Sequence, residues 1–365
     1  QIWNHFSLLG AGAFETIGGE VVNTVLLILT NQLPDDKQVF TGIDASKSRI
    51  AHMKARLLLE MPLKTVRQAN QVQNPDARVS LQELRGTQLL ADYASIHEGM
   101  SRGDTERFDR KFWEIKQIDS IWSFLLNSPQ SNDPYSGREH IVFWEQGEGT
   151  LASSSQARVT GKAAWRKIGV FVARTSDLKC TLSLGEMHAQ NGAVILPKKP
   201  EYLPPIWAFC CSTEYREAVK KLNDKIIVAS GTLNQVPFDI EYWREIADAA
   251  GPIPEPYSND PTQWLFKGNP VDSTEPLQVA VVRLLGYSWP QQKPDNLDNY
   301  TVQEGIICLP SIAGEEQAVE RLRALLAQAY GEAWSPMQQD RLLAEVGFGG
   351  KSLDVWLYDG FFIQH

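Results

Sequence analysis

The chain has only four cysteines in 365 residues, Cys180, Cys210, Cys211 and Cys308. No CxxC pair occurs and two of the four are adjacent, so neither a disulfide framework nor a thiolate zinc site is expected. A reducing, cytoplasmic setting fits that usage. The six histidines are scattered, without HExxH or HxH spacing, and no metal is expected. No apolar run reaches the roughly 18–20 residues of a membrane span. The longest, Val21 to Leu29, is interrupted by Asn23 and Thr24. Also missing are an internal repeat, a signal peptide and an initial Met. The opening "QIWNHFSLLG" already has the texture of folded sequence, and the chain is expected to be a piece of a longer protein.

Charge is not scarce but it is uneven. Residues 1–94 carry 9 basic and 9 acidic side chains, 95–240 carry 18 and 17, and 241–365 carry 8 and 18. The formal net charge of −9 therefore sits in the last third. A polyanionic partner would meet the middle segment.

With 43% hydrophobic residues the chain can bury a sizeable core, enough for two or three domains. Val21–Thr30 is a continuous β-branched and aliphatic run, predicted as a strand buried on both faces of an α/β sheet. "DASKSRIAHMKARLLLE" predicts an amphipathic helix capped by Asp44 or Ser46 and ended by Pro62. "NPDARVSLQEL" predicts a turn and a short element. From about Gly86 the texture becomes short, aromatic and turn-rich. "REHIVFWEQG", "IGVFVARTSD" and "NGAVILPKKP" predict strands. "EYLPPIWAFCCSTEYREAVKKLN" predicts a helix or helix pair, and "KIIVASGTLNQVPFD" a strand–turn–strand. "AGPIPEPYSNDPTQW" holds four prolines in fifteen residues and predicts a linker or wrapped loop. Beyond it, "PLQVAVVRLLGY", "EEQAVERLRALLAQAYG", "PMQQDRLLAEVGF" and "SLDVWLYDGFF" predict helices, with Val319, Leu322, Leu325, Leu326 and Ala329 on one stripe. The expected domains are 1–86, the end of a mixed α/β sheet, 87–250, an α+β domain, and 251–365, a small acidic helical domain.

The glycines of "LLGAGAFETIGGEVVNTVLLILTNQ" invite a cofactor-loop reading. It fails on spacing. After Gly10 and Gly12 no third glycine completes a dinucleotide fingerprint, and the residues after Gly18-Gly19 are β-rich rather than helical. No Gly-Lys-Ser/Thr comes next either, so a P-loop is excluded. The stretch predicts a hairpin whose turns use glycine.

"GAFETIGGEVVNTVLLILTN" resembles the last sheet segment of adenine-specific DNA methyltransferases of the PglX-like and type IIG restriction–modification kind. In that family an aromatic residue of this block packs on the flipped-out adenine. The resemblance implies that role for Phe14, since an extruded base needs a face to replace its stacking neighbours. The other reading open to Phe14 is filling the core beneath the hairpin. "QANQVQNPDARVSLQELRGTQLLADYASIHEGMSRGDTERFDRKFWE" resembles the entry to the family's target-recognition domain, where a Gly-x-x-x-Gly-Asp-x-x-Arg-Phe element begins DNA reading. Here it is Gly99, Gly103, Asp104, Arg107 and Phe108. The glycines would let the backbone approach a duplex, Asp104 would cap a helix, Arg107, Arg110 and Lys111 would contact phosphate, and Arg102 would also face the DNA. A capped helix start on a solvated face is the alternative. "YSGREHIVFWEQG", with Arg138, and "GKAAWRKIGVFVART", with Lys162, Trp165, Arg166, Lys167 and Arg174, also resemble family blocks. The latter interleaves cations with apolar residues in a way suited to nucleic acid, or to a strand with a basic exposed face.

The resemblance spans nearly the whole chain and rests on the order of blocks rather than on one motif. It implies the C-terminal end of a Rossmann-like methyltransferase domain, then an α+β target-recognition domain, then a helical tail. The activity implied for the intact bacterial protein is transfer of a methyl group from S-adenosylmethionine to adenine N6, within a restriction–modification or phage-defence system. Double-stranded DNA is the implied partner, with other defence subunits. Base-edge reading would fall to residues 99–180. The family's cofactor loop and Asn/Asp-Pro-Pro-Tyr/Phe tetrapeptide are missing. Asn132-Asp133-Pro134-Tyr135 has a single proline and lies after the Phe14 block, so it predicts a turn. No nuclease signature is present. The fragment alone is therefore expected to be inactive. The rival readings are a non-catalytic DNA specificity subunit, an interaction protein without a nucleic-acid role, and a Rossmann oxidoreductase.

Overall fold

The chain folds as a mixed α/β protein with several small sheets and many short helices. The computed structural model describes every residue except 15–23, 73, 75–78, 82–87, 116–117, 176, 224 and 303. Its strands are β1 (Ile2–Gly10), β2 (Thr24–Thr30), β3 (Val39–Asp44), β4 (Lys64–Arg67), β5 (Ala94–Glu98), β6 (Asp109–Lys111), β7 (Trp122–Leu126), β8 (His140–Phe143), β9 (Gly169–Ala173), β10 (Cys180–Ser183), β11 (Met187–His188) and β12 (Gly192–Pro197). Two compact units divide the chain. The first holds Gln1–His97, Arg174–Leu178 and Ile195–Gly251, and the second Glu98–Ala173, Lys179–Val194 and Pro252–His365. Residues 87–250 thus fall in both units.

In the first unit a sheet of order β2-β1-β3-β4 mixes directions. β1 runs antiparallel to β2 (Ile2↔Thr30 through Gly10↔Thr24) and parallel to β3 (His5↔Thr41 through Leu8↔Asp44), while β3 is antiparallel to β4. Leu9, Phe40, Ile43 and Val66 are its buried apolar side chains. β2 departs from the expectation of two-sided burial. It is the edge strand, and Val25 to Leu29 are 41–57% exposed. An apolar run states what a strand is able to bury, not what lies over it. "NPDARVSLQEL" falls largely outside the described residues.

The helix Ala51–Glu60 starts later than expected. Asp44 Oδ1 accepts from the Ser46 backbone N–H (3.0 Å) and hydroxyl (2.5 Å), closing a turn ahead of the helix, and Ile50 occupies its N-cap. "EYLPPIWAFCCSTEYREAVKKLN" is a helix pair, Leu203–Cys211 and Thr213–Leu222. Pro204 and Pro205 sit in the first turn, where no intrahelical N–H bond is due. Ser212 separates the pair and its hydroxyl accepts from Tyr215 N–H at 3.0 Å. Phe209 meets Tyr215, Phe238 and Trp243 with ring centroids 5.0–5.1 Å apart, the aromatic core of this unit. The strand–turn–strand expected over "KIIVASGTLNQVPFD" is replaced by bends and a 3-10 turn, Ser230–Thr232. Val228 N–H bonds the Arg174 carbonyl and Phe238 N–H the Gln88 carbonyl, each at 2.8 Å. The first is a single anchor, and the second belongs to one isolated antiparallel bridge, Leu89↔Pro237, with Leu90 N–H on the Val236 carbonyl at 3.0 Å; Pro237 has no N–H to extend it.

In the second unit one sheet has the order β11-β7-β8-β6, with β8 antiparallel to both neighbours. β9 pairs antiparallel with β10, Gly169↔Ser183 through Val172↔Cys180. Met100, Phe108, Leu125, Val142, Leu151, Met187 and Ala189 form a core, with Trp144 and Trp165 against it. The helices Pro276–Leu284, Ala318–Tyr330, Pro336–Glu345 and Leu353–Asp359 enclose another, which buries the expected stripe Val319, Leu322, Leu325 and Leu326 against Trp356, with Ala329 packed at its margin. Arg283 is buried in this part, its guanidinium 2.8 Å from Asp295 and 2.6 Å from Asp298.

Candidate nucleic-acid interface

In the second unit the Gly-Asp-x-x-Arg-Phe element forms one short helical turn, Thr105–Phe108. Asp104 caps it, its Oδ1 accepting from Arg107 N–H at 3.0 Å, as expected. Phe108 is buried in the core, and the Arg107 guanidinium lies over its ring at 4.9 Å. Each glycine has a neighbouring protein segment where its side chain would be, although Gly103 itself is exposed. A Cβ on Gly99 would lie 2.1 Å from the Ala189 carbonyl oxygen. One on Gly103, where φ is +73°, would lie 2.9 Å from Gln156. Their expected role beside a duplex is therefore corrected: they fix chain packing.

Several expected DNA contacts are spent inside the fold. Arg102 is buried, pairs with Asp109 through Nε and Nη2 (3.1 and 2.7 Å) and donates Nη1 to the Met100 carbonyl. Arg138 has no exposed surface. It pairs with Glu186 (2.7 Å) and donates to the Leu182 carbonyl (2.6 Å). Arg110 donates to the Glu106 and Asp109 carbonyls, both at 2.6 Å, and Lys111 is salt-bridged to Glu139. In the first unit, Arg174 Nε holds the Val228 carbonyl at 2.8 Å. A buried guanidinium already paired with a carboxylate is not free to meet a phosphate, so Arg102 and Arg138 leave the interface.

Four expected cations remain exposed. The side chains of Arg107, Lys162, Arg166 and Lys167 make no hydrogen bond or ion pair among the described residues. Arg107 lies on one segment and the other three on a second, and the backbones of the two segments meet. Ser101 and Arg158 exchange N–H···O bonds of 3.0 and 2.9 Å, and Thr160 Oγ1 donates to the Gly99 carbonyl at 2.7 Å. The 161–167 loop is pinned along its length. A Cβ on Gly161 would strike the Glu98 carbonyl and the His188 ring, both at 2.7 Å. Ala164 is buried, and Trp165 stands edge-on to Trp144 with centroids 5.6 Å apart. Arg166 has φ +62°, uncommon for a residue with a side chain and costing about 1–2 kcal/mol. Its N–H donates to the Gly185 carbonyl at 2.8 Å, and Gly185 leaves no room for a Cβ there. Gly161, Gly185, Trp144 and Gln156 were not singled out in the sequence, because only the fold brings them to these segments.

His140 on β8 is held below its ordinary range by burial and by Lys111, and its Nδ1 has no hydrogen-bond partner among the described residues. A cleft of about 400 Å³ also lies in this unit, between 130–139 and 254–263. Asp133, Glu139, Glu255 and Asp260 line it, so it repels phosphate. Asn132–Tyr135 is a turn, as expected, and Tyr135 donates its hydroxyl to the Pro254 carbonyl. Among the described residues no group of acids, cysteines and histidines is placed to hold a metal, and no helix is long and apolar enough to cross a membrane.

Phe14 lies just past β1 in the first unit and is 52% exposed, so it fills no core. The glycines beside it pack closely against the segment before the helix Ala51–Glu60. A Cβ on Gly12 would lie 2.4 Å from the Arg49 carbonyl, and one on Gly10 2.9 Å from Ser46 Cβ. The space above them is taken by the turn before the helix Ala51–Glu60, whose Lys54 donates to the Leu9 carbonyl.

No family model and no curated protein matches the chain. Among solved structures it is similar to a type IIL restriction-modification enzyme, MmeI, determined in complex with DNA. The likeness has a TM-score of 0.34 and 11% identity over 95% of this chain. The chain spans 45% of that enzyme's length.

Proposed function

We propose that this chain is the DNA-recognising part of a site-specific DNA methyltransferase from a restriction–modification or phage-defence system. One observation carries the reading. Arg107, Lys162, Arg166 and Lys167 project, without acidic partners among the described residues, from two segments joined through Ser101 and Arg158. A protein of net charge −9 that leaves four cations unneutralised on neighbouring segments has a surface suited to a polyanion. The block resemblance points the same way, and makes adenine N6 the target and S-adenosylmethionine the methyl donor of the intact protein. By that resemblance the donor would be held by the family's glycine-rich cofactor loop, which this sequence lacks. The exposed ring of Phe14 would then offer its face to an extruded base.

The test is duplex binding by the whole chain, measured by fluorescence anisotropy over a salt series. Binding at about 50 mM salt should weaken steeply with log salt, each phosphate contact contributing a slope of about −0.9. Alanine at Arg107, Lys162 or Lys167 should lower affinity and make the slope shallower by about one unit each. Alanine at Arg110, whose guanidinium is already held by two carbonyls, should change it less. Absent binding, or binding insensitive to salt, overturns the reading.

A further inference from the structure

The four exposed cations are not equivalent. Lys162 and Lys167 are flexible point charges, and Arg107 sits on a four-residue turn whose ring partner, Phe108, faces the core. Arg166 differs in backbone and in head group. Its φ of +62° places it in a conformation that L residues rarely adopt, and the strand-side neighbour Gly185, itself at φ +97°, holds it there by a 2.8 Å backbone bond. The fit admits no side chain at Gly185: a Cβ would lie 2.5 Å from Arg166 Cα and 2.6 Å from Lys167 N. Just before it, Trp165 is wedged against Trp144. The base of the Arg166 side chain is thus fixed while its guanidinium is exposed and uncommitted among the described residues.

Given the proposed DNA-binding function, on which it rests, we infer that Arg166 is a specificity-determining residue that reads a guanine edge, while Lys162 and Lys167 on either side hold phosphates. A planar fork of N–H donors matches guanine O6 and N7 in the major groove, a pairing that an ammonium cannot reproduce with both atoms at once. Such readout needs a donor whose origin does not drift, because a pair of parallel hydrogen bonds is lost with small displacements. A backbone locked by Gly185 supplies that, and a lysine on the same loop, needing only proximity to charge, does not require it. The strained φ is the feature that separates Arg166 from a further phosphate contact.

The experiment enriches duplexes bound by the full chain from a randomised pool at about 100 mM salt, for the wild type, Arg166→Ala and Arg166→Lys. The wild type should select a motif with at least one fixed guanine. Both variants should lose preference at that position by roughly 10- to 100-fold and keep the others. Replacing that guanine by 7-deazaguanine, which lacks the N7 acceptor, should weaken the wild type and leave Arg166→Ala unchanged. If the motif survives in Arg166→Ala, or if the variant weakens all sequences alike and makes the salt slope shallower by about one, Arg166 is a phosphate contact and the inference is wrong while DNA binding stands. If the wild type binds no duplex, the functional reading falls, and this inference with it.

Discussion

Arg102 Nη2 lies 2.7 Å from Asp109 Oδ2, and both side chains are at least nine-tenths buried. The pair ties the start of the Gly99–Phe108 segment to β6, and Nη1 closes the arrangement on the Met100 carbonyl at 3.2 Å. Removing one partner strands the other charge in the interior. Arg102→Ala or Asp109→Ala should each cost about 3–5 kcal/mol, read as a lowered denaturant midpoint. Arg107→Ala, five residues along but exposed, should stay within about 0.5 kcal/mol of the wild type. Equal losses for Arg102→Ala and Arg107→Ala would show that burial is not what separates these arginines.

A second expectation concerns the loop that carries the lysines. Gly185→Ala places a methyl group 2.5 Å from Arg166 Cα at a φ of +97°, so backbone must move and the substitution is strained in any case. It should destabilise by about 1–3 kcal/mol and shift amide signals of 164–168 in an NMR spectrum. Gly231→Ala is the matched control. No positive φ and no atom within 4 Å constrains that site, and stability there should change by less than about 0.5 kcal/mol. A stable, spectrally silent Gly185→Ala would mean that the loop is not pinned at this point.

His140 gives a pH dependence with a definite sign. Burial first, then Lys111, pushes its pKa below the ordinary value, while Asp109 and Glu139 pull the other way and Arg102 adds to the lowering. The native state therefore binds this proton less readily than the unfolded chain. Below about pH 6.5 the unfolded imidazole is protonated and the native one is not, so stability should fall as pH drops through that value until the native pKa is passed. Chemical denaturation across pH 5–8 measures the slope. His140→Gln should flatten it, and an unchanged slope would assign the effect to other groups.

The legible part of this chain was its local chemistry. Asp104 caps a helix as its type dictates, the Val319–Leu326 stripe is buried, and the sequences around β8, β9 and β12 are strands. Long-range pairing was not legible. Gly99 and Gly103 looked like residues for approaching DNA because glycine announces a close approach without naming what is approached. Here Ala189 and Gln156 are those neighbours. Arg102 and Arg138 looked like DNA contacts because Asp109 and Glu186 become their partners only on folding. Val25–Leu29 looked like the centre of a sheet because composition carries no information on which neighbour is present. Arg166 illustrates the same limit from the other side. Its cation was visible in "WRK", but its backbone geometry depends on Gly185, nineteen residues away.

Phe14 supplies the last test, because its exposure separates two roles that the sequence left open. A Phe filling a core loses about 3–5 kcal/mol on truncation to alanine, through lost transfer energy and the cavity left behind. At 52% exposure Phe14 has little of either to lose, and Phe14→Ala should shift the denaturant midpoint by an amount corresponding to less than about 1 kcal/mol. A residue that spares stability yet presents an aromatic face is available to a base. In the intact protein, Phe14→Ala should therefore reduce the fluorescence rise of a 2-aminopurine placed at the target position, since the extruded base loses its stacking partner. Phe14→Tyr, which keeps a ring, should restore it. A large loss of stability with unchanged base extrusion would return Phe14 to a structural role.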